Sequence, residues 1–286
     1  MEPSHATASG PQRPNSRWTA FARLDLFVVL AGVACFAALT TAAISNHQAR
    51  RSVCLNNHRQ MTSAWLNYAF DHDEKLVGNL DGGGVLSLAN SNLTWVLGWL
   101  DGSRFVPDNT NLLYLTTYSP LAVYLQHDPR PFRCPADTGL SDGVTGVPLV
   151  RSIAMNSYMG PRAGVYTSGY RQFTTLPSIT APSPATASVF FDAREDGIND
   201  GWFNISMTGF EPYSPTAFTM VDYPADWHQR AGTVSFVDGH GEVWKWSDVR
   251  SMPPHVKGRA LLLRVASPGN PDVYRIQKAS SRKLPP

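Results

Sequence analysis

The chain has 286 residues and a mass of 31.4 kDa, enough to bury a sizeable core in one domain with a smaller part beside it. Charged residues are only 16%, whereas 22 Gly, 22 Pro and 8 Trp favour a turn-rich, aromatic-supported domain with β structure over a helix bundle. A formal charge of +2 with scattered Lys and Arg argues against nucleic acid as a partner, since that recognition needs a basic patch or stripe.

The first element in chain order is apolar. Residues 26–45, LFVVLAGVACFAALTTAAIS, carry no charge. As a helix they span about 30 Å, the thickness of a bilayer's hydrocarbon, so membrane insertion is the expectation. Arg13, Arg17 and Arg23 precede the run and Arg50 and Arg51 follow it, a bias that leans slightly towards a cytoplasmic N-terminus. No Pro or Gly interrupts residues 48–70, and Cys54, His58, Met61, Trp65 and Tyr68 recur at helical spacing, which draws one stripe along a helix. The pattern predicts one helix of about 45 residues, roughly 70 Å long, with its first half in lipid and its second half packed on a domain. Asp25 reads by itself as an interfacial charge that favours the helix dipole.

Beyond the helix, residues 71–73 and the DGGG at 81–84 break the pattern. Six Asp-Gly dipeptides, at Asp81, Asp101, Asp142, Asp196, Asp200 and Asp238, read as tight turns between short strands. Strands are expected at Leu93–Leu100, Ser188–Phe191, Ala217–Val221, Thr233–Val237 and Glu242–Trp246. The fold class is therefore α+β, a long N-terminal helix with a membrane-inserted first half packed on an antiparallel sheet. The tail from Ser267 bears Pro, Lys and Arg and is expected to be mobile.

Three features carry candidate chemistry. Of the three cysteines, Cys35 lies in the apolar run, while Cys54 and Cys134 lie beyond it. In an oxidising compartment those two form a disulfide; otherwise they remain thiols, and both readings stand. In HQRAGTVSFVDG, nine residues separate His228 from Asp238-Gly239. It reads as a hairpin, with strands at 233–237 and 242–246 and a turn whose Gly239 and Gly241 allow positive φ. His228 would lock the hairpin by bonding Asp238 or a turn carbonyl, join Asp238, His240 and Asp192 in a metal site, or recognise a partner. In FDAREDGINDG, Asp192, Glu195, Asp196, Asn199 and Asp200 offer oxygens for a hard cation without the EF-hand spacing; a plain solvated turn is the alternative.

No Gly-x-Ser-x-Gly elbow, His-Glu-x-x-His helix, Walker loop or Rossmann fingerprint occurs, so the expectation is a protein that is not an enzyme. Two alternatives remain. One is a membrane-anchored periplasmic binding module that stacks ligands on Trp95, Trp99, Trp202, Trp227, Trp244 and Trp246. The other is a metal-dependent hydrolase built on His228, Asp238 and His240.

The onset FARLDLFVVLAG resembles that of type IV prepilins, with Phe21 in place of the family's Phe, Asp25 in place of its glutamate and Ala20 in place of the glycine before the cut. Similar to large pilin-like families, in their order, are CLNNHRQMTSAWLNYAFDHDEKL from Cys54, LAVYLQHDPRPFRCPADTG and RSIAMNSYMG from Arg151. His228, Asp238 and Gly239 match the H-X9-DG element of the prepilin-processing-associated C-terminal domain, so the resemblance covers roughly residues 20–250. It implies a pilin-like fold and a structural subunit of a type II secretion pseudopilus or type IV pilus-like assembly. A prepilin peptidase would cut between Ala20 and Phe21, and the new amino group would be methylated. Asp25 would pair with the amino terminus of a neighbouring subunit. The implied partners are other pilin-like subunits, the peptidase and inner-membrane lipid. Calcium is the implied cofactor, since major pseudopilins carry a calcium loop near the C-terminus. The organisation would be a cytoplasmic leader (1–20), a transmembrane and stem helix (21–70), a periplasmic α+β domain (71–266) and a flexible basic tail (267–286). The protein would cross the bacterial inner membrane once.

Overall fold

The computed structural model describes residues 23–161 and 167–285. The leader with Ala20 and Phe21 lies outside them, and so does the side chain of Asp25. Helix α1 runs over Arg23–Asp71, and the chain divides into two compact units, Met1–Asn46 and His47–Pro286.

In the first unit the side chains of residues 27–39 are exposed, among them Phe27, Val28, Val29, Leu30, Val33, Phe36 and Leu39. Among the described residues no helix is long and apolar enough to cross a membrane. This overturns the expected membrane-inserted half of the helix. The single pass through the inner membrane, with a cytoplasmic N-terminus and a periplasmic domain, falls with it.

In the second unit, the sequence stripe is what α1 buries. Cys54, His58, Met61 and Trp65 are fully buried and Tyr68 is half-buried; each large apolar side chain covered this way contributes about 1.5–3 kcal/mol. The helix stops where Asp73 and Glu74 take left-handed φ values of 54 and 60°, with the Glu74 N–H donating to the Ala69 carbonyl at 2.8 Å.

The main sheet has the order β3-β1-β2-β5-β6, with β1 at Ile153–Asn156, β2 at Ser188–Asp192, β3 at Trp202–Phe203, β5 at Ala231–Phe236 and β6 at Gly241–Lys245. β1 and β2 are antiparallel, as are β2 and β5, and β5 and β6. β3 instead pairs parallel to β1, with Met155 opposite Trp202. The sheet is therefore mixed, which corrects the antiparallel expectation. The reason is topological: β2 runs back beside β1, and the chain then returns along β1's other edge in β1's own direction. A second, two-stranded sheet joins β4 (Thr219–Met220) to β7 (Val265–Ala266), so the strand expected over Ala217–Val221 shrinks to two residues.

Leu93–Leu100 forms no strand. Leu93 ends a 3-10 helix, Gly98 takes φ +96°, and the segment's N–H groups bond unrelated segments, Trp95 to the Gly78 carbonyl and Leu100 to that of Asn199. The tail is also corrected. After a one-turn helix α2 at Leu113–Thr116, helix α3 occupies Pro271–Ser280 and is N-capped by the Asn270 side chain, and it buries Val273, Ile276 and Ala279. An Asn cap before a first-turn Pro is a strong helix start.

Side chains alternate along β5, and its two faces differ. Val234 and Phe236 join the apolar core. Thr233 and Ser235 point to α1, where Ser235 accepts from the Thr62 hydroxyl at 2.7 Å and Thr233 Oγ1 lies 3.3 Å from Cys54 Sγ. The helix thus sits on a polar strip of the sheet, and the candidate site lies in that strip.

Candidate functional site

Four segments converge beneath α1. Helix α1 supplies Cys54 and His58, the end of β2 supplies Asp192, the loop after Pro131 supplies Cys134, and the turn before β5 supplies His228. All five are buried. One ligand atom each from Cys54, Cys134, Asp192 and His228 can be chosen so that all four lie within 4.8 Å of one another. Among the described residues this is the one such grouping of metal-ligating side chains.

Each member is held by the fold. The Cys54 thiol donates to Asp192 Oδ2 at 3.1 Å, and the same oxygen accepts the Thr233 N–H at 2.9 Å. His58 Nε2 lies 3.0 Å from the other oxygen, Oδ1. Cys134 Sγ lies 3.3 Å from His228 Nε2, and the Cys134 N–H is anchored on Ser152 Oγ at 2.8 Å. His228 is turned inward by two left-handed residues, Gln229 and Arg230 at φ 59 and 65°, while its N–H donates to the Ala231 carbonyl at 3.0 Å. The buried Nδ1 of His228 has no hydrogen-bond partner among the described residues.

The electrostatics sort the groups. Burial, then the Cys134 hydrogen bond and the Asp192 charge, push the Cys54 thiol well up. Burial likewise raises Cys134 and lowers His228. Burial alone would raise Asp192 too, but the charge and hydrogen bond of His58, with the bonds from Cys54 and Thr233, outweigh it and hold the carboxyl below its usual range. A nucleophilic cysteine needs an accessible, readily formed thiolate. Two buried thiols with raised pKa values make a poor nucleophile, and an ion that bound them would have to displace both protons. A cleft of about 470 Å³ between α1 and the 128–135 segment, lined by Val53, Asn57, Arg130 and Cys134 among others, reaches the edge of the cluster.

The sequence motif is split. His228 and Asp238 stand at opposite ends of β5, so the hydrogen bond expected between them does not form. Asp238 and Gly239 make the turn to β6: Asp238 Oδ1 accepts the His240 N–H at 3.1 Å and lies 2.5 Å from His240 Nδ1. Gly239 has φ +92°. The His240 ring stacks on Phe236 at 4.4 Å. The expected metal set of His228, Asp238, His240 and Asp192 is therefore divided between a buried cluster and an exposed turn.

The acidic run is dispersed as well. Asp192 belongs to the cluster. Asp196 forms a buried ion pair with Arg194 at 2.7 Å. Glu195 accepts from Trp227 Nε1 at 2.9 Å. Asp200 accepts the N–H groups of Gly82 and Trp202 at 2.8 and 3.0 Å, and faces Asp222 across a cleft of about 120 Å³ that also includes Asp81 and Arg264. Burial, with Asp81 adding, raises Asp200 to about 6, and burial, with Asp200 adding, raises Asp222 to about 8. Asp192, Asp196 and Asp200 thus do not assemble the calcium loop expected of them.

Cys54 and Cys134 do meet, as free thiols, and neither spacing nor composition pointed to Asp192 and His228 as their neighbours. His58, which touches Asp192, stood in the helical stripe only as a packing residue. Of the tryptophans weighed as stacking platforms, Trp95, Trp202, Trp244 and Trp246 are buried, and Trp99 and Trp227 are half-buried. Comparison with known families, with curated proteins and with solved structures finds no match for this chain.

Proposed function

We propose that the protein is a structural subunit that self-associates through the first stretch of α1, in the manner of a pilin-like assembly, and acts on no substrate. The observation that carries this reading is the exposed row of Phe27, Val28, Val29, Leu30, Val33, Phe36 and Leu39. A row of large apolar side chains in water is costly and marks an interaction surface. A second copy of the same helix is the occupant that suits it. Gly32 has open space where a side chain would stand, so another backbone can come close. The resemblance to pilin-like sequences supports the same reading. So does the buried chemistry: the convergent thiols, imidazole and carboxylate are shut beneath α1, where they fasten the helix to the sheet.

Cys35 provides the test, because it is the exposed one of the three cysteines and lies within the row. Mild oxidation of the full chain should give a Cys35-linked dimer whose yield rises with protein concentration and vanishes in Cys35→Ser. Replacing Val33 and Phe36 with Ser should abolish both the cross-link and any higher-order species in sedimentation. A chain that stays monomeric and uncross-linked at high concentration would end this reading.

A further inference from the structure

We propose that Cys54, Cys134, Asp192 and His228 form a structural zinc site that fastens helix α1 to the sheet. The inference stands on the buried cluster, independently of residues 27–39 and of self-association.

The donor set is the first argument. Two thiolates, an imidazole and a carboxylate are all zinc ligands, and four protein ligands with no open position mark a structural rather than a catalytic site. Two soft sulfurs disfavour calcium and magnesium, which take oxygen. Spacing is the second. Zinc–ligand bonds of tetrahedral geometry set the ligand atoms about 3.5 Å apart; here Cys54 Sγ and Asp192 Oδ2 are 3.1 Å apart, Cys134 Sγ and His228 Nε2 are 3.3 Å apart, and the whole group fits within 4.8 Å.

The surroundings are the third argument. His58 holds the carboxylate oxygen turned away from Cys54, the orienting contact that metal-bound carboxylates commonly have. His228 sets its Nε2 against the Cys134 thiol, which turns the ring's polar edge to the cluster. Cys134 lies both in the cluster and on the wall of the 128–135 cleft, which gives an ion a way in.

Binding is proton exchange without redox change. The thiol protons of Cys54 and Cys134 leave to solvent, two metal–sulfur bonds form, and Asp192 and His228 add an oxygen and a nitrogen lone pair. Two thiolates, one carboxylate and a divalent ion leave the site with one negative charge.

The test uses the full chain, reduced and stripped with a chelator, then titrated with cobalt(II) as a spectroscopic probe and with zinc(II). Cobalt should bind one ion per chain, with the intense visible bands of tetrahedral geometry and a thiolate charge-transfer band, and zinc should displace it and raise the melting temperature. Cys134→Ser should remove the charge-transfer contribution of one sulfur, Cys35→Ser should change nothing, and His58→Ala should weaken affinity about 10- to 100-fold. Should Cys134→Ser fail to fold, the native chain's spectrum still decides. A folded, reduced chain with no thiolate-to-cobalt band overturns the site. So does a band that depends on Cys35, or a Cys54–Cys134 disulfide in chain isolated with thiols trapped at lysis.

Discussion

Asp192 and Asp222 are two inward-facing carboxyls in one domain with opposite fates. Asp192, fully enclosed, receives hydrogen bonds from Cys54 and Thr233 and sits against His58, and its carboxyl is held low. Asp222 accepts one backbone N–H, from Asn204, faces the carboxylate of Asp200, and is raised to about 8. Burial opposes charge in both places; at Asp192 the donors and the His58 imidazole outweigh it, whereas at Asp222 one N–H and Arg264 do not, and Asp200 adds to the burial. The fold therefore maintains an ionised, ligand-ready oxygen at the strip beneath α1, and keeps a proton on the carboxyl at the 222 cleft in neutral solution.

Substitution can break this contrast. Asp192→Asn should have the largest effect, a loss of about 3–5 kcal/mol in urea unfolding at neutral pH, because it removes the buried charge and sets an NH2 donor either against His58 or against the Cys54 and Thr233 donors. An Asn variant as stable as the native chain would erase the distinction. Asp222→Asn should instead be nearly silent in acid, where the native carboxyl is neutral in both states, and should become stabilising relative to the native chain as pH rises towards neutrality. A carboxyl with an unfolded pKa near ~3.9 and a folded value of about 8 binds more protons in the folded state between those limits. Its contribution to stability thus falls as pH rises through that window, by at most ~1.4 kcal/mol per unit. Asp200, raised to about 6, adds to the lower part of the same slope. The Asp222→Asn chain should show a flatter stability profile from pH 5 to pH 8, and an unchanged profile would contradict the assignment. The smallest effects belong to the exposed hairpin turn. Gly239→Ala, at φ +92°, should cost about 1 kcal/mol, and Asp238→Ala about 0.5–1.5 kcal/mol. Both should leave cobalt binding by the cluster intact, which separates the two halves of the H-X9-DG element experimentally.

Much of the framework was legible because its signals are local. The helical stripe from Cys54 to Tyr68 and the Asp238-Gly239 hairpin follow from period and turn chemistry within a few residues. β1 was not legible, since Ile153–Asn156 is buried at every position and alternation, the usual strand signal, is lost. Helix α3 had a readable start in Asn270-Pro271-Asp272, masked by the Pro and basic residues that suggested a loose tail. Membrane insertion was read from the composition of residues 26–45, whereas among the described residues no helix is long and apolar enough to cross a membrane. The cluster was only half legible. Cys54 and Cys134 stood out as a pair, and Asp192 and His228 as metal ligands, but joining the two pairs depends on β2 lying between β1 and β5. That adjacency is a property of the topology and appears in no window of sequence.

The wide spacing of the cluster also dictates an order of events during synthesis. Cys54 is made early, yet Thr233, its neighbour in the strip, lies 179 positions later. Until the ribosome has delivered β5, the helix has no strand to settle on, and the thiols and the carboxylate lack their enclosure. Contacts of such long range form late. A chain released before residue 228 would carry Cys54, Cys134 and Asp192 without the imidazole and the strand that complete their enclosure.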